Sequence, residues 1–112
     1  MSYRAESLLW LLQRASAAVL ALCVVIHLAT IIYAVQGGLT GGEVLARTRG
    51  SVAWFAFYSF FVLAVTVHVP IGLRAVCIEW LGWRRRSRDF FLIGFSGLLA
   101  WSGMSAVIAV FA

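Results

Sequence analysis

Three long stretches without a charged residue constrain the fold of this chain more than any other feature. They run from Ala15 to Leu39, from Gly50 to Leu73 and from Phe90 to Ala112. Each is long enough to cross a hydrocarbon core of about 30 Å as a helix that rises about 1.5 Å per residue. The chain is also 63% hydrophobic, with a mean hydropathy of +0.99, which is typical of membrane proteins. The sequence therefore predicts an all-α, three-transmembrane-helix protein, a single membrane domain over residues 1–112 with helices at about 8–35, 51–80 and 89–112.

The distribution of the arginines predicts the orientation of the chain in the membrane. All nine basic residues are arginine. Two of them, Arg47 and Arg49, lie in the loop between the first and second spans. The other seven precede or open the first span or follow the second: Arg4, Arg14, Arg74, Arg84, Arg85, Arg86 and Arg88. Basic residues concentrate on the cytoplasmic side, so we expect a cytoplasmic N-terminus and an outside C-terminus, in a multi-pass protein of the bacterial inner (cytoplasmic) membrane. The net charge is +5, and the arginines of the second loop would face anionic lipid or a cytoplasmic partner. No nucleic acid is predicted as a partner.

Smaller motifs indicate packing rather than chemistry. The segment "EVLARTR" predicts a short interfacial turn before the second span. Cys23 and Cys77 lie in different helices without metal-ligand spacing, which favours inert core thiols. The third span is rich in small residues that permit close helix contact in lipid: Ser96, Gly97, Ala100, Ser102, Gly103 and Ala106. The sequence contains no phosphate loop, nucleophile elbow or paired carboxylates, so the chain alone is not expected to be a hydrolase or a kinase.

Two histidines, His27 and His68, lie deep inside the first and second spans without a charged neighbour in sequence. Ionisable residues at such depth usually face the bundle interior and serve a function. Neutral imidazole without nearby cysteine or carboxylate is typical of axial ligation of haem iron, so we predict both as axial ligands. Ala64 and Gly72 share the face of His68 and are small enough for a flat macrocycle to lie against them. The alternative is that these small residues form only a helix contact face.

The predicted depths of the two histidines differ. If the first two spans are antiparallel, His27 lies about 12 Å and His68 about 25 Å from the outer ends of their helices. An offset of about 13 Å prevents both from binding one iron, so each needs a second ligand from another chain in a larger bundle. Pro70 cannot donate a hydrogen bond to the Thr66 carbonyl, which predicts a kink beside His68 that the Thr66 hydroxyl eases. Arg14 and Arg74 fall at the cytoplasmic edge, a suitable level for haem propionates or a quinone carbonyl.

These residues resemble the membrane cytochrome b subunits of succinate:quinone oxidoreductases, a family that includes fumarate reductases. Its single-haem branch carries His-x-x-x-Gly-x-Arg followed by an acidic residue, and opens its first helix with Arg-x-Ser. The matching residues here are His68, Gly72, Arg74, Glu79, Arg14 and Ser16. The segments "LLWLLQRASAAVLALCVVIH" and "HVPIGLRAVCIEWLGW" are similar to one half of the duplicated two-haem branch. The resemblance covers about Leu8 to Trp83, and Gln13 stands where the single-haem branch usually has a histidine.

The resemblance implies a haem b-binding membrane anchor, a subunit that is not catalytic alone. It would carry electrons between a cytoplasmic flavoprotein and iron–sulfur pair and membrane quinone. One or two haems would be shared with a second membrane chain, identical or diverged, and bound through His68, His27, Gly72, Arg74 and Arg14. Quinone would lie near Ser16, Arg14, Trp10 and Trp80. Two alternatives stay open: a haem-free structural anchor, and a small proton or solute conduit with His27 and His68 as relays.

Overall fold

The computed structural model describes residues 2–112 as a bundle of helices. These are α1 (Tyr3–Gln36), α2 (Gly41–Thr48), α3 (Val52–Leu81) and α4 (Arg86–Phe111). Three of them, α1, α3 and α4, are long and apolar enough to cross a membrane. The central helix is α3, which packs against α1 on one side and against α4 on the other. The predicted all-α protein with three spans is therefore confirmed.

Two of the long helices begin earlier than predicted, because their first turns are polar and, in α1, a side chain caps the helix. The Ser2 side chain accepts a hydrogen bond of 3.2 Å from the Ala5 N–H, and Glu6 adds negative charge to the first turn of α1. Both features stabilise a helix N-terminus. Likewise α4 begins at Arg86, within the arginine-rich loop, instead of at about residue 89. The apolar runs thus mark the membrane spans, whereas the helices continue past them into polar sequence.

The predicted interfacial turn is a complete short helix, α2. The Thr40 hydroxyl caps it by accepting a hydrogen bond of 3.2 Å from the Glu43 N–H. At its other end the Thr48 hydroxyl donates to the Val110 carbonyl at 3.0 Å, and the Gly50 N–H donates to the Phe111 carbonyl at 2.8 Å. These bonds hold α2 against the C-terminal end of α4. The C-terminus and the first loop therefore lie at one end of the bundle, opposite the start of α1.

The α3–α4 turn is built around Gly82, which ends α3 in the left-handed conformation with φ of 63°. That conformation strongly favours glycine. The adjacent Trp83 N–H returns to the Cys77 carbonyl at 2.9 Å. Arg88 is buried, and its guanidinium donates to the Asp89 carboxylate at 2.9 Å. This turn reverses the chain sharply and brings α4 back along α3.

The α3–α4 interface includes one very close approach and one hydrogen bond. A Cβ atom on Gly103 would lie 2.7 Å from Cγ1 of Val62, so any larger residue at this position would force Val62 to shift. The close packing predicted for the third span is thus confirmed at Gly103. Gly97, in contrast, has nothing within 4 Å of its Cβ position among the described residues. Cys23 and Cys77 are both buried as free thiols, as predicted.

Pro70 lies inside α3, which continues as a helix on both sides of it. The Thr66 hydroxyl, predicted to ease a kink here, donates to the Val62 carbonyl at 2.8 Å, and Pro70 has no N–H to offer the Thr66 carbonyl. The Thr66 carbonyl instead accepts a hydrogen bond of 3.1 Å from the Ser96 hydroxyl on α4. A neighbouring helix thus satisfies the carbonyl that proline leaves open, which is a common solution in lipid.

Candidate functional site: two histidines between α1 and α3

Side-chain contacts show how α1 and α3 are aligned. Glu6 meets Arg74, Ser16 meets His68, and His27 meets Tyr58. Residue numbers increase along α1 while those of the partners decrease along α3. The two helices are therefore antiparallel, as the depth argument assumed, and each histidine belongs to a separate level of their interface.

At the level of His68 the facing residue is a buried serine. The Ser16 hydroxyl oxygen lies 3.3 Å from Nδ1 of His68 and donates a hydrogen bond of 3.1 Å to the Gln13 carbonyl. Only 7% of Ser16 is exposed, whereas His68 is half-buried. One ring nitrogen of His68 is thus engaged by α1, and part of the imidazole still reaches the surface of this chain.

Gly72, one turn beyond His68, faces α1. A Cβ atom on Gly72 would lie 3.1 Å from Nε2 of Gln13, so the glutamine amide lies over the glycine. The amide oxygen of Gln13 is buried and has no hydrogen-bond partner within residues 2–112. Ala64 is buried as well. The structure therefore gives Gly72 a packing role against α1, and its contact with a cofactor stays a prediction.

At the level of His27 the facing residue is a tyrosine. Nδ1 of His27 lies 3.0 Å from the Tyr58 hydroxyl, and the rings of Tyr58 and Phe61 meet the imidazole edge to face. The Thr30 hydroxyl donates to the His27 carbonyl at 2.7 Å. Sequence reasoning did not identify Tyr58. An antiparallel register would have placed it opposite His27, but that register was not known without one contact to fix it.

The two histidines are far apart in depth. Because His27 lies level with Tyr58, its offset from His68 corresponds to the rise of α3 from residue 58 to residue 68. That rise is about 15 Å at 1.5 Å per residue, close to the predicted 13 Å. The two imidazoles therefore cannot bind the same iron, as predicted. Each imidazole could offer one nitrogen as a metal ligand, at its own level of the bundle.

The predicted basic residues lie near the N-terminal end of α1, where α3 finishes. Arg74 forms an ion pair with Glu6, with 3.5 Å between nitrogen and oxygen. The Arg14 guanidinium lies over the Trp10 ring, 5.2 Å from its centre. Both residues of that pair are exposed. The arrangement places two cations at the end of the bundle nearer to His68.

The residues predicted to bind quinone do not all lie together. Arg14 and Trp10 share an exposed face of α1, but Ser16 is two residues further on, about 200° around the helix. Ser16 is buried against His68, and Trp80 is 82% exposed near the end of α3. The structure thus pairs Arg14 with Trp10 and turns Ser16 away from them. The position of a quinone remains a prediction.

Two apolar cavities converge on the His27–Tyr58 pair. One, of about 850 Å³, lies among α1, α2 and α3, and the other, of about 760 Å³, lies among α2, α3 and α4. Val44 of α2 lines both of them. Arg47 lines the first cavity with its guanidinium 5.7 Å from the centre of the Tyr33 ring. Since α2 was predicted only as a turn, its contribution to these cavities was not anticipated.

The two imidazoles described above are compatible with a haem site. Within residues 2–112 no three side chains of histidine, cysteine, aspartate or glutamate cluster to hold an ion. A haem needs no such cluster, because the porphyrin supplies four ligands and the protein supplies only the axial ones. A single imidazole with one nitrogen anchored and part of its ring accessible, as in His68, meets that requirement.

Comparison with known proteins gives one match over the whole chain. The family model for the succinate dehydrogenase/fumarate reductase transmembrane subunit matches residues 1–112. No curated protein and no solved structure matches significantly.

Proposed function

Because the chain belongs to the succinate dehydrogenase/fumarate reductase transmembrane subunit family, we propose that it is a haem b-binding membrane anchor. In this role it carries electrons between a flavoprotein and iron–sulfur pair and membrane quinone. The observation that supports the proposal most is His68, an intramembrane imidazole whose Nδ1 is anchored by Ser16 at 3.3 Å. Haem ligands in proteins are held in this way, by a second partner on the other ring nitrogen.

The chain's own residues have distinct tasks in this proposal. His68 supplies one axial nitrogen, and Arg74 and Arg14 offer positive charge to propionates at the nearer end of the bundle. When bound, haem b would supply a one-electron centre, held by His68 and by a histidine of another chain. The arginine distribution supports a cytoplasmic N-terminus in a bacterial inner membrane. His68 would then lie on the side of the membrane that carries the soluble subunits.

A second membrane chain completes the ligation. His27 and His68 are about 15 Å apart in depth, so the opposing histidine of each haem comes from another chain, identical or diverged. His68 serves one haem, and His27 is the candidate ligand for a second one at the level of Tyr58. The exposed small residues of α4, such as Gly97 and Ser102, are suited to contact with that partner.

Quinone is expected at the exposed Arg14–Trp10 face of α1. A cation and an aromatic ring at the membrane edge provide a donor for a carbonyl and a surface for a flat headgroup. Arg14→Ala should lower quinone reduction while haem is retained, and Arg4→Ala at the exposed start of α1 is the control. Loss of haem in Arg14→Ala with normal quinone turnover would make Arg14 a propionate partner instead.

The deciding experiment measures haem per flavin in the complex purified through a tag on this chain. We expect haem in the unmodified complex, its loss in His68→Ala, and its retention in Phe60→Ala, which truncates an exposed side chain of the same helix. Flavin reports assembly independently. Full haem content in His68→Ala contradicts the ligation. Flavin and iron without haem in the unmodified complex would favour the haem-free anchor, and their absence would favour the conduit.

A further inference from the structure

The hydroxyl of Ser16 has two polar neighbours and only one hydrogen to share between them. The Gln13 carbonyl lies 3.1 Å from the oxygen, and Nδ1 of His68 lies 3.3 Å from it. A carbonyl can only accept a hydrogen bond, whereas a serine hydroxyl donates once and accepts through its lone pairs. With the hydroxyl donating to the Gln13 carbonyl, the nearer of the two neighbours, its oxygen is left to accept from His68.

The direction of the Ser16 hydrogen bonds determines which ring nitrogen of His68 carries the proton. A neutral imidazole carries one proton, on either Nδ1 or Nε2. When the hydroxyl hydrogen is directed at Gln13, the Ser16 contact is a hydrogen bond only if Nδ1 carries the imidazole proton, which leaves the lone pair on Nε2. We infer that Ser16 is a positioning residue that fixes His68 as the Nδ1–H tautomer, so that Nε2 is prepared to bind iron. The inference rests on the proposed haem ligation and adds a residue that acts through the ligand.

Burial makes the hydrogen bond effective. Ser16 is 7% exposed, so water competes little for its hydroxyl, and an unpaired polar group at this depth is costly. The same hydrogen bond fixes the orientation of the His68 ring, because rotation about the Cβ–Cγ bond would break it. Ser16 thus acts from within the α1–α3 interface, and not from the exposed face that carries Arg14 and Trp10.

The environment of His27 lacks this constraint. The Tyr58 hydroxyl lies 3.0 Å from Nδ1 of His27, and no second hydrogen-bond acceptor contacts it within residues 2–112. The tyrosine hydroxyl can therefore either donate to Nδ1 or accept from it, and this contact allows both tautomers of His27. Only at His68 does a second acceptor, the Gln13 carbonyl, direct the hydroxyl hydrogen away from the imidazole. The two histidines, which look equivalent in the sequence, differ in this respect.

Nitrogen NMR of the full haem-free chain in detergent, labelled with ¹⁵N-histidine, tests the tautomer directly. Spectra recorded at alkaline pH, with His68 assigned by its loss in His68→Gln, should show a protonated Nδ1 and an unprotonated Nε2. Ser16→Ala should move the proton toward Nε2, and Ser16→Thr, which keeps the hydroxyl, should not. Ser102→Ala, which removes a hydroxyl that donates to the Leu98 carbonyl within α4, is the control. A proton on Nε2 in the unmodified chain overturns the inference.

The haem-containing complex provides a second measurement. A hydrogen bond accepted from the ligand's N–H makes the imidazole a stronger donor to iron, so Ser16→Ala should raise the midpoint potential of the haem, and Ser16→Thr should restore it. A haem whose potential is the same in Ser16→Ala as in the unmodified complex overturns the role of Ser16. A complex without haem overturns the proposed function instead. If Ser16→Ala fails to assemble, the tautomer measured in the unmodified chain decides the inference.

Discussion

The Ser96 hydroxyl of α4 donates a hydrogen bond of 3.1 Å to the Thr66 carbonyl of α3. Pro70 leaves that carbonyl without its normal partner, because proline has no N–H to donate. The bond therefore satisfies a backbone group inside the membrane and joins two helices at the same time. It lies within one turn of His68, so it also stabilises the segment of α3 that carries the predicted ligand.

Ser96→Ala should weaken the α3–α4 interface by about 0.6 kcal/mol and by up to about 1.7, the range found for hydrogen bonds between membrane helices. Unfolding of the purified protein by a denaturing detergent measures this change. Ser102→Ala is the matched control, because the Ser102 hydroxyl donates to Leu98 within its own helix. In a Pro70→Ala background, the new N–H can reach the Thr66 carbonyl, and Ser96→Ala should then cost less. An equal cost in both backgrounds would contradict the compensation between Ser96 and Pro70.

Gly103→Ala should destabilise the protein by about 1–3 kcal/mol, the usual cost of overpacking. The added methyl would lie 2.7 Å from Cγ1 of Val62, a β-branched side chain with few alternative rotamers. Gly97→Ala has open space at its Cβ position and should be neutral or stabilising by up to about 1 kcal/mol through helix propensity. The same unfolding assay compares them. If Val62→Ala does not relieve the cost of Gly103→Ala, the contact between these two residues is not its cause.

The membrane architecture was predictable because it depends on composition along the chain. Apolar length fixed the three spans, and the constant rise of a helix predicted the depth offset between His27 and His68. Helix starts were less predictable, since the caps at Ser2 and Arg85 lie outside the apolar runs. The apolar pattern marks where the membrane is, not where the backbone hydrogen bonds begin.

The contacts of the candidate site were not predictable from one sequence. A transmembrane helix that is apolar on all sides gives no periodic signal for the face that turns toward its neighbour. The sequence therefore places Ser16 with Arg14 as a quinone contact at the cytoplasmic edge, although the structure turns it toward His68. Tyr58 and Ser96 acquired their roles in the same way, from helix rotation and register. Polar residues inside the spans were the useful signal, but their partners required the packed structure.

Arg74→Gln should weaken haem binding by about 10- to 150-fold if its guanidinium holds a propionate, because a hydrogen bond to a charged group contributes about 1.5–3 kcal/mol. Glu6→Gln removes the carboxylate of the ion pair with Arg74 and is the control. An ion pair with its carboxylate 52% exposed contributes about 1 kcal/mol or less to stability. Haem retained after challenge with a haem-scavenging apoprotein measures both variants. Equal losses in the two variants would indicate that the ion pair, and not the propionate, is what matters.

Gly72→Leu separates the two roles considered for Gly72. If a macrocycle lies against this glycine, the larger side chain lowers haem occupancy regardless of what stands at residue 13. The glycine could instead serve to accommodate the Gln13 amide, which lies 3.1 Å from its Cβ position. The leucine side chain would then clash with Gln13 of α1. In that case Gln13→Ala should restore haem occupancy to Gly72→Leu, because it removes the side chain that the leucine displaces.

The observed geometry favours the second result, since the space over Gly72 is already filled by Gln13. We therefore expect haem per flavin to fall in Gly72→Leu and to recover in the double variant. Gln13→Ala alone is the control, and it should keep its haem. The substitution breaks no hydrogen bond of the buried amide oxygen, because that oxygen has no partner among the described residues. Haem loss that persists in the double variant would return Gly72 to the haem contact surface. It would also require Gln13 to move aside when the cofactor binds.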